Sequence, residues 1–125
     1  TLPALQELRF DGNSVGNLGL EALAVASDAG AMPSLKTLSA RRNDIFGSGA
    51  QTLAHYARRG ALKSLETFDL SANQINEAGI KALARCAKEG GLPSLTFFGL
   101  DDNRHGDGVV QDALFERDAA GLEQP

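Results

Sequence analysis

The sequence predicts an α/β repeat protein, built from stacked units that each run strand, turn and helix. Three observations predict it. Asn13, Asn43, Asn73 and Asn103 stand 30 residues apart along the chain. A shared text opens each unit: Leu2-Pro3-Ala4-Leu5, Met32-Pro33-Ser34-Leu35, Leu62-Lys63-Ser64-Leu65 and Leu92-Pro93-Ser94-Leu95. Within a unit, apolar residues recur first at period two and then at three to four. Self-similarity at a fixed period marks a stacked array, in which each unit buries its apolar side against its neighbours. The expected repeats are 2–31, 32–61, 62–91 and 92–121, within a single domain 1–125.

The third unit shows each element in order. Leu65-Glu66-Thr67-Phe68-Asp69-Leu70 ends in the Phe68/Leu70 alternation of a short half-buried strand. Ser71-Ala72-Asn73-Gln74-Ile75 turns the chain and returns Ile75 to the interior. Ile80, Leu83, Ala84 and Ala87 then form one helical face, with Lys81, Arg85, Lys88 and Glu89 on the wet side. Gly90-Gly91 ends the helix, because glycine accepts the left-handed conformation of a C-terminal cap. Gly19, Gly49 and Gly79 recur before the helix, where a tight turn or a close approach between units is expected. Ala24, Ala54 and Ala84 form a small column between helices, and Leu23, Leu53 and Leu83 a large one.

The asparagine column reads as structural. A turn that leaves the sheet strands peptide groups, and a buried Asn offers donors and an acceptor to satisfy them from unit to unit. The fourth unit departs from the pattern: His105 replaces the inward Ile, Val109 replaces the Gly, and 117–125 is polar. It reads as a degenerate, capping repeat. At the other end, Leu5, Leu8 and Phe10 lack a polar lead-in, which points to further repeats before them.

Bulk composition limits the function. Hydrophobic content is 42%, charged content 22% and net charge −4, with both signs mixed along the chain. This gives no electrostatic basis for nucleic-acid binding. No apolar run approaches the roughly 18 residues of a membrane span, and no charged, then apolar, then small-residue stretch reads as a secretory leader. Cys86 is the single cysteine and reads as a small buried apolar residue. With no Asn-x-Ser/Thr acceptor either, the expected setting is intracellular: cytoplasmic or nuclear.

Leu65-x-x-Phe68-x-Leu70-x-x-Asn73-x-Ile75, followed by Gly79-x-x-Ala82-Leu83-Ala84, resembles a leucine-rich repeat. The helical second half and the length resemble the ribonuclease-inhibitor-like class of that family, just above the usual range of about 20–29 residues. The resemblance implies a curved solenoid, with parallel strands on the concave side and helices on the convex side. It also implies that residues alternating with the buried strand positions face solvent from the concave sheet. These are Glu7, Arg9 and Asp11; Thr37, Ser39 and Arg41; Thr67, Asp69 and Ser71; and Phe97, Gly99 and Asp101, with Arg42 and Asp102 beside them. Phe97 reads either as an exposed recognition aromatic or, with Phe98, as packing under the terminal cap.

Other sites fall away. Asp101, Asn103 and Gly106 sit at positions one, three and six of a calcium-loop template with Asp112 at twelve, but His105 and the preceding strand do not fit it. His55 and His105 are too few for a multi-histidine zinc site, and no nucleophile elbow or phosphate loop occurs. The expectation is therefore a non-enzymatic module without metal or cofactor, binding a partner protein on its concave face. A regulatory role of the type found in Ran GTPase-activating protein, whose repeats are similar, and a passive scaffold segment are the alternatives.

Overall fold

The computed structural model describes residues 4–100 together with Asp102 and Asn103. Asp101, the helix text of the fourth unit, its capping reading and most of the calcium-like loop lie outside the described residues. The element order is β1 (Glu7–Arg9), α1 (Gly16–Asp28), β2 (Thr37–Ser39), α2 (Gly47–Arg58), β3 (Thr67–Asp69), α3 (Glu77–Lys88) and β4 (Phe97–Gly99). The strands form one parallel sheet in the order β1-β2-β3-β4. Register follows the 30-residue period: Glu7, Thr37, Thr67 and Phe97 align, as do Leu8, Leu38, Phe68 and Phe98, and Arg9, Ser39, Asp69 and Gly99.

Helices α1, α2 and α3 pack side by side in the same order. Parallel strands lie about 4.8 Å apart, whereas packed helices need about 8–10 Å. A stack with one strand and one helix per unit must therefore bend toward its strands. That mismatch makes the open sheet face the inner wall of the curve.

The interior lies between sheet and helices. Leu38, Phe68 and Phe98, at the centres of their strands, are wholly buried. They meet Leu53, Leu83, Ile80 and Ala50 from the helices, and Ile45 and Ile75 from the turns. The Phe68 and Phe98 rings stack at 5.1 Å between centroids and 12° between planes. Leu5, Leu8 and Phe10 are only partly buried, while Leu35, Leu38 and Ala40, their counterparts one unit on, are closed off. Cys86 is buried among the same apolar residues.

The backbone departs from the sequence reading in three places. The third strand spans Thr67–Asp69, so Leu70 of the expected Phe68/Leu70 alternation falls just beyond it, and Leu65 belongs to a tight turn closed by its N–H on the Leu62 carbonyl at 3.0 Å. The glycines expected before the helices lie inside their first turns. A Cβ on Gly79 would stand 2.9 Å from the Gly47 Cα, and one on Gly49 2.5 Å from the Asn17 Oδ1. In α2 and α3 the first turn is pressed against the preceding unit, which leaves no room for a side chain there. The third departure is at the strand exits, where Gly12, Arg42, Ala72 and Asp102 all adopt positive φ, at 70°, 57°, 60° and 58°. Gly12 suits that conformation and Asp102 tolerates it, whereas Arg42 and Ala72 do neither.

The helix ends follow the expected chemistry. Gly30, Gly60 and Gly90 have φ of 88°, 107° and 94°. Their own N–H groups reach the Ser27, Ala57 and Ala87 carbonyls, and those of Ala31, Ala61 and Gly91 reach Ala26, Tyr56 and Cys86. This is the paired hydrogen bonding of a Schellman cap.

Candidate functional site on the open sheet face

The wall is held in register from beneath by asparagine side chains. Asn43 Oδ1 accepts the backbone N–H groups of Asn13 and Val15 at 3.1 and 3.0 Å. Asn73 Oδ1 does the same for Asn43 and Ile45 at 2.8 and 3.1 Å. Asn103 Oδ1 takes the N–H of Ile75 at 3.0 Å. Their amide groups donate in turn to carbonyls on both sides: Asn43 to Phe10 and Arg41, Asn73 to Ala40 and Leu70, Asn103 to Leu70 and Leu100. Asn13 stands at the exposed end of the column, and its side chain donates only to the Asp11 carbonyl of its own unit.

On the face itself the charged residues are largely engaged with one another. Asp11 Oδ1 accepts from the Ser39 hydroxyl at 2.7 Å and from the Arg41 N–H at 2.9 Å. Asp69 Oδ1 accepts the Ser71 N–H at 2.9 Å, and its Oδ2 lies 3.7 Å from the Arg41 Nε. Arg9 Nε contacts the Glu7 carboxylate beside it. Partial burial pushes the Asp11 carboxyl up, but the Ser39 and Arg41 hydrogen bonds and the guanidinium groups of Arg41 and Arg9 outweigh it. The group is held below its ordinary value.

Two residues expected to face solvent are covered. Ser39 is 3% exposed and Ser71 6%. Both are short side chains beneath longer neighbours, so the Asp11 and Asp69 networks close over them. Gly99 is buried too, and a Cβ there would stand 2.5 Å from Asp69 Oδ1. Its lack of a side chain gives the Asp69 carboxylate its seat. Glu7, Arg9, Asp11 and Arg41 are exposed, and Thr37, Thr67 and Asp69 half-buried.

At the β4 end of the wall, Phe97 is 49% exposed, while Phe98 next to it is wholly buried against Phe68. Phe97 aligns with Thr67. Sequence reasoning overlooked the cross-unit pairing of Asp11 with Ser39. The available signal was an offset of 28, one period less two, which brings a strand-exit side chain over the preceding position of the next strand. It also overlooked Phe46, which is 42% exposed and forms an isolated parallel bridge to Gln74 outside the sheet. Among the described residues no cluster of His, Cys, Asp and Glu could hold a metal ion, and no helix is long and apolar enough to cross a membrane.

Comparison with known proteins gives the fold a likeness. No curated protein matches the sequence. The C-terminal domain of tropomodulin, solved in the structural genomics of Caenorhabditis elegans, superimposes with a TM-score of 0.66 over 95% of this chain and 87% of that one. Identity is 18%, so the likeness is one of fold. The family model described as Leucine Rich repeat matches residues 2–24 and 61–84. Each matched segment carries a strand, its asparagine turn and most of the following helix, β1 into α1 and β3 into α3. With four parallel strands in 30-residue register and a helix between each successive pair, the chain has the leucine-rich-repeat fold, and two of its segments match that family's model.

Proposed function

We propose that this chain is a protein-interaction module that binds a partner protein on its open sheet face. The observation that carries the reading is the contrast between Phe97 and Phe98. One phenylalanine of the strand completes the core, and the other is left half in solvent on a wall whose charges are largely paired. An exposed aromatic beside a fixed polar surface is the make-up of an interface hot spot, because little side-chain freedom remains to be lost on binding. Thr67, Thr37, Arg41 and Asp69 supply the polar rim beside it. The helical second half of the first three units supports placement in the ribonuclease-inhibitor-like class.

Site-specific photocrosslinking tests the assignment. A benzophenone side chain at Thr67 should capture a partner protein in a manner abolished by Phe97→Ala. One placed at Ala22, exposed on α1 and off both the sheet face and the α2–α3 side, should not capture that partner. Capture from Ala22 alone, or capture from Thr67 indifferent to Phe97→Ala, would place the interface elsewhere.

A further inference from the structure

The opposite side of the molecule carries a charge pattern that the sheet-face reading does not use. Six of the twelve Lys and Arg residues lie on α2, α3 and the turn after α2: Arg58, Arg59, Lys63, Lys81, Arg85 and Lys88. Helix α2 has no acidic residue, and α3 has only Glu77, with Glu89 at its end. Helix α1 is the reverse, with Glu21 and Asp28 and no basic residue. In a chain of net charge −4 this is a marked segregation.

The basic residues also border hollows. One of about 240 Å³ lies between α2 and α3, walled by His55, Arg58 and Arg85 over Ala54 and Ala82. A second of about 260 Å³ adjoins it, walled by Lys81, Arg85 and Lys88 over Ala84. Arg85 borders both, is exposed, and pairs with no carboxylate among the described residues. The Arg58–Glu89 and Lys81–Glu77 pairs, at 2.9 and 2.7 Å, are solvent-exposed. Such pairs are worth little and exchange readily for an external carboxylate.

We propose that this outer groove docks an extended acidic segment of a protein partner. Lys81 and Arg85 are one helical step of four apart, about 6 Å along the axis. Alternate side chains of an extended peptide are spaced by about 6.7 Å. Acidic residues at every second position would therefore meet Lys81 and Arg85 in turn along the alanine-floored hollow that both border. A long polyanion fits less well. The basic area ends at Glu21 and Asp28 on one side and is interrupted by Glu77 and Glu89, whereas nucleic acid needs a continuous phosphate track.

The test is fluorescence anisotropy on the full chain, with a labelled peptide of alternating Glu and Ala and its Gln-for-Glu counterpart as probes. The Glu peptide should bind and weaken as salt is raised from about 50 to about 200 mM. Arg58→Gln with Arg85→Gln should weaken it about tenfold or more, and Lys36→Gln, an exposed lysine off the groove, should leave it unchanged. Arg85→Gln alone should give an intermediate loss. Equal binding of the Gln peptide, indifference to both arginine substitutions, or tighter binding of single-stranded DNA or anionic vesicles than of the Glu peptide would overturn the proposal. None of these outcomes bears on Phe97, so the two surfaces stand or fall separately.

Discussion

Asn73 Oδ1 accepts the backbone N–H of Asn43 at 2.8 Å, and Asn43 Oδ1 accepts that of Asn13 at 3.1 Å. The side chain of one unit thus closes the turn of the unit before it. Asn43 and Asn73 are buried, so the Asn43 N–H has no water to fall back on, whereas Asn13 lies at the exposed end. A buried donor left unpaired costs about 1–3 kcal/mol. The column is therefore both a register device and a requirement of the turn. It also fixes the strand exits on which Asp11, Arg41 and Ser71 are mounted.

Those exits hold backbone strain. Ala72 has a φ of 60°, in a column where Gly12 meets the same demand without a Cβ. Left-handed backbone costs a non-glycine residue about 1–2 kcal/mol, partly offset by the greater freedom of glycine in the unfolded chain. Ala72→Gly should raise stability by about 0.5–1 kcal/mol in urea unfolding. A loss of that size would show that the alanine methyl contributes packing that outweighs the strain.

Acid should weaken the inner wall through Asp11. Its carboxyl is held below its ordinary value in the folded state, so the folded chain binds fewer protons there than the unfolded chain. The stabilisation is complete above the ordinary carboxylate range and is lost as pH falls through it toward the depressed value. Asp11→Asn should melt below the parent near pH 7, with the gap closing on acidification. Thermal melts across about pH 3–7 follow this directly. A gap that widens toward acid would contradict the assignment.

Gly99 and Asp69 form a coupled pair. Any Cβ at 99 meets the Asp69 carboxylate, which must then leave the Ser71 N–H. Gly99→Ala should cost about 1–2 kcal/mol, and most of that cost should vanish in an Asp69→Ala background. Additive losses in the double variant would mean that the glycine serves a different neighbour.

Much of this architecture was legible in the text of the chain, for a physical reason. Stacking repeats the same contacts at the same offset, so the period alone places Leu38, Phe68 and Phe98 in one buried row. Alternation within Thr67-Phe68-Asp69 then separates the wall from the core. Less legible were features that depend on side-chain size across units. Ser39 and Ser71 occupy outward positions yet lie covered, because alternation gives direction and not the reach of Asp11 or Asp69. The positive φ of Arg42 and Ala72 was hidden too, since neither residue type announces a left-handed turn. The segregation of basic residues onto α2 and α3 disappears in a linear reading, where acids and bases look mixed.

The most direct test of the stacking account compares the middle of the asparagine column with its free end. Asn73→Leu leaves the Asn43 and Ile45 N–H groups without their acceptor, whereas Asn13→Leu removes one bond within its own unit. Urea unfolding of the two variants should show a loss of at least about 2 kcal/mol for Asn73→Leu and less than about 1 kcal/mol for Asn13→Leu. Equal losses at the two positions, or an unaltered midpoint for Asn73→Leu, would contradict the claim that these amides hold the stack together.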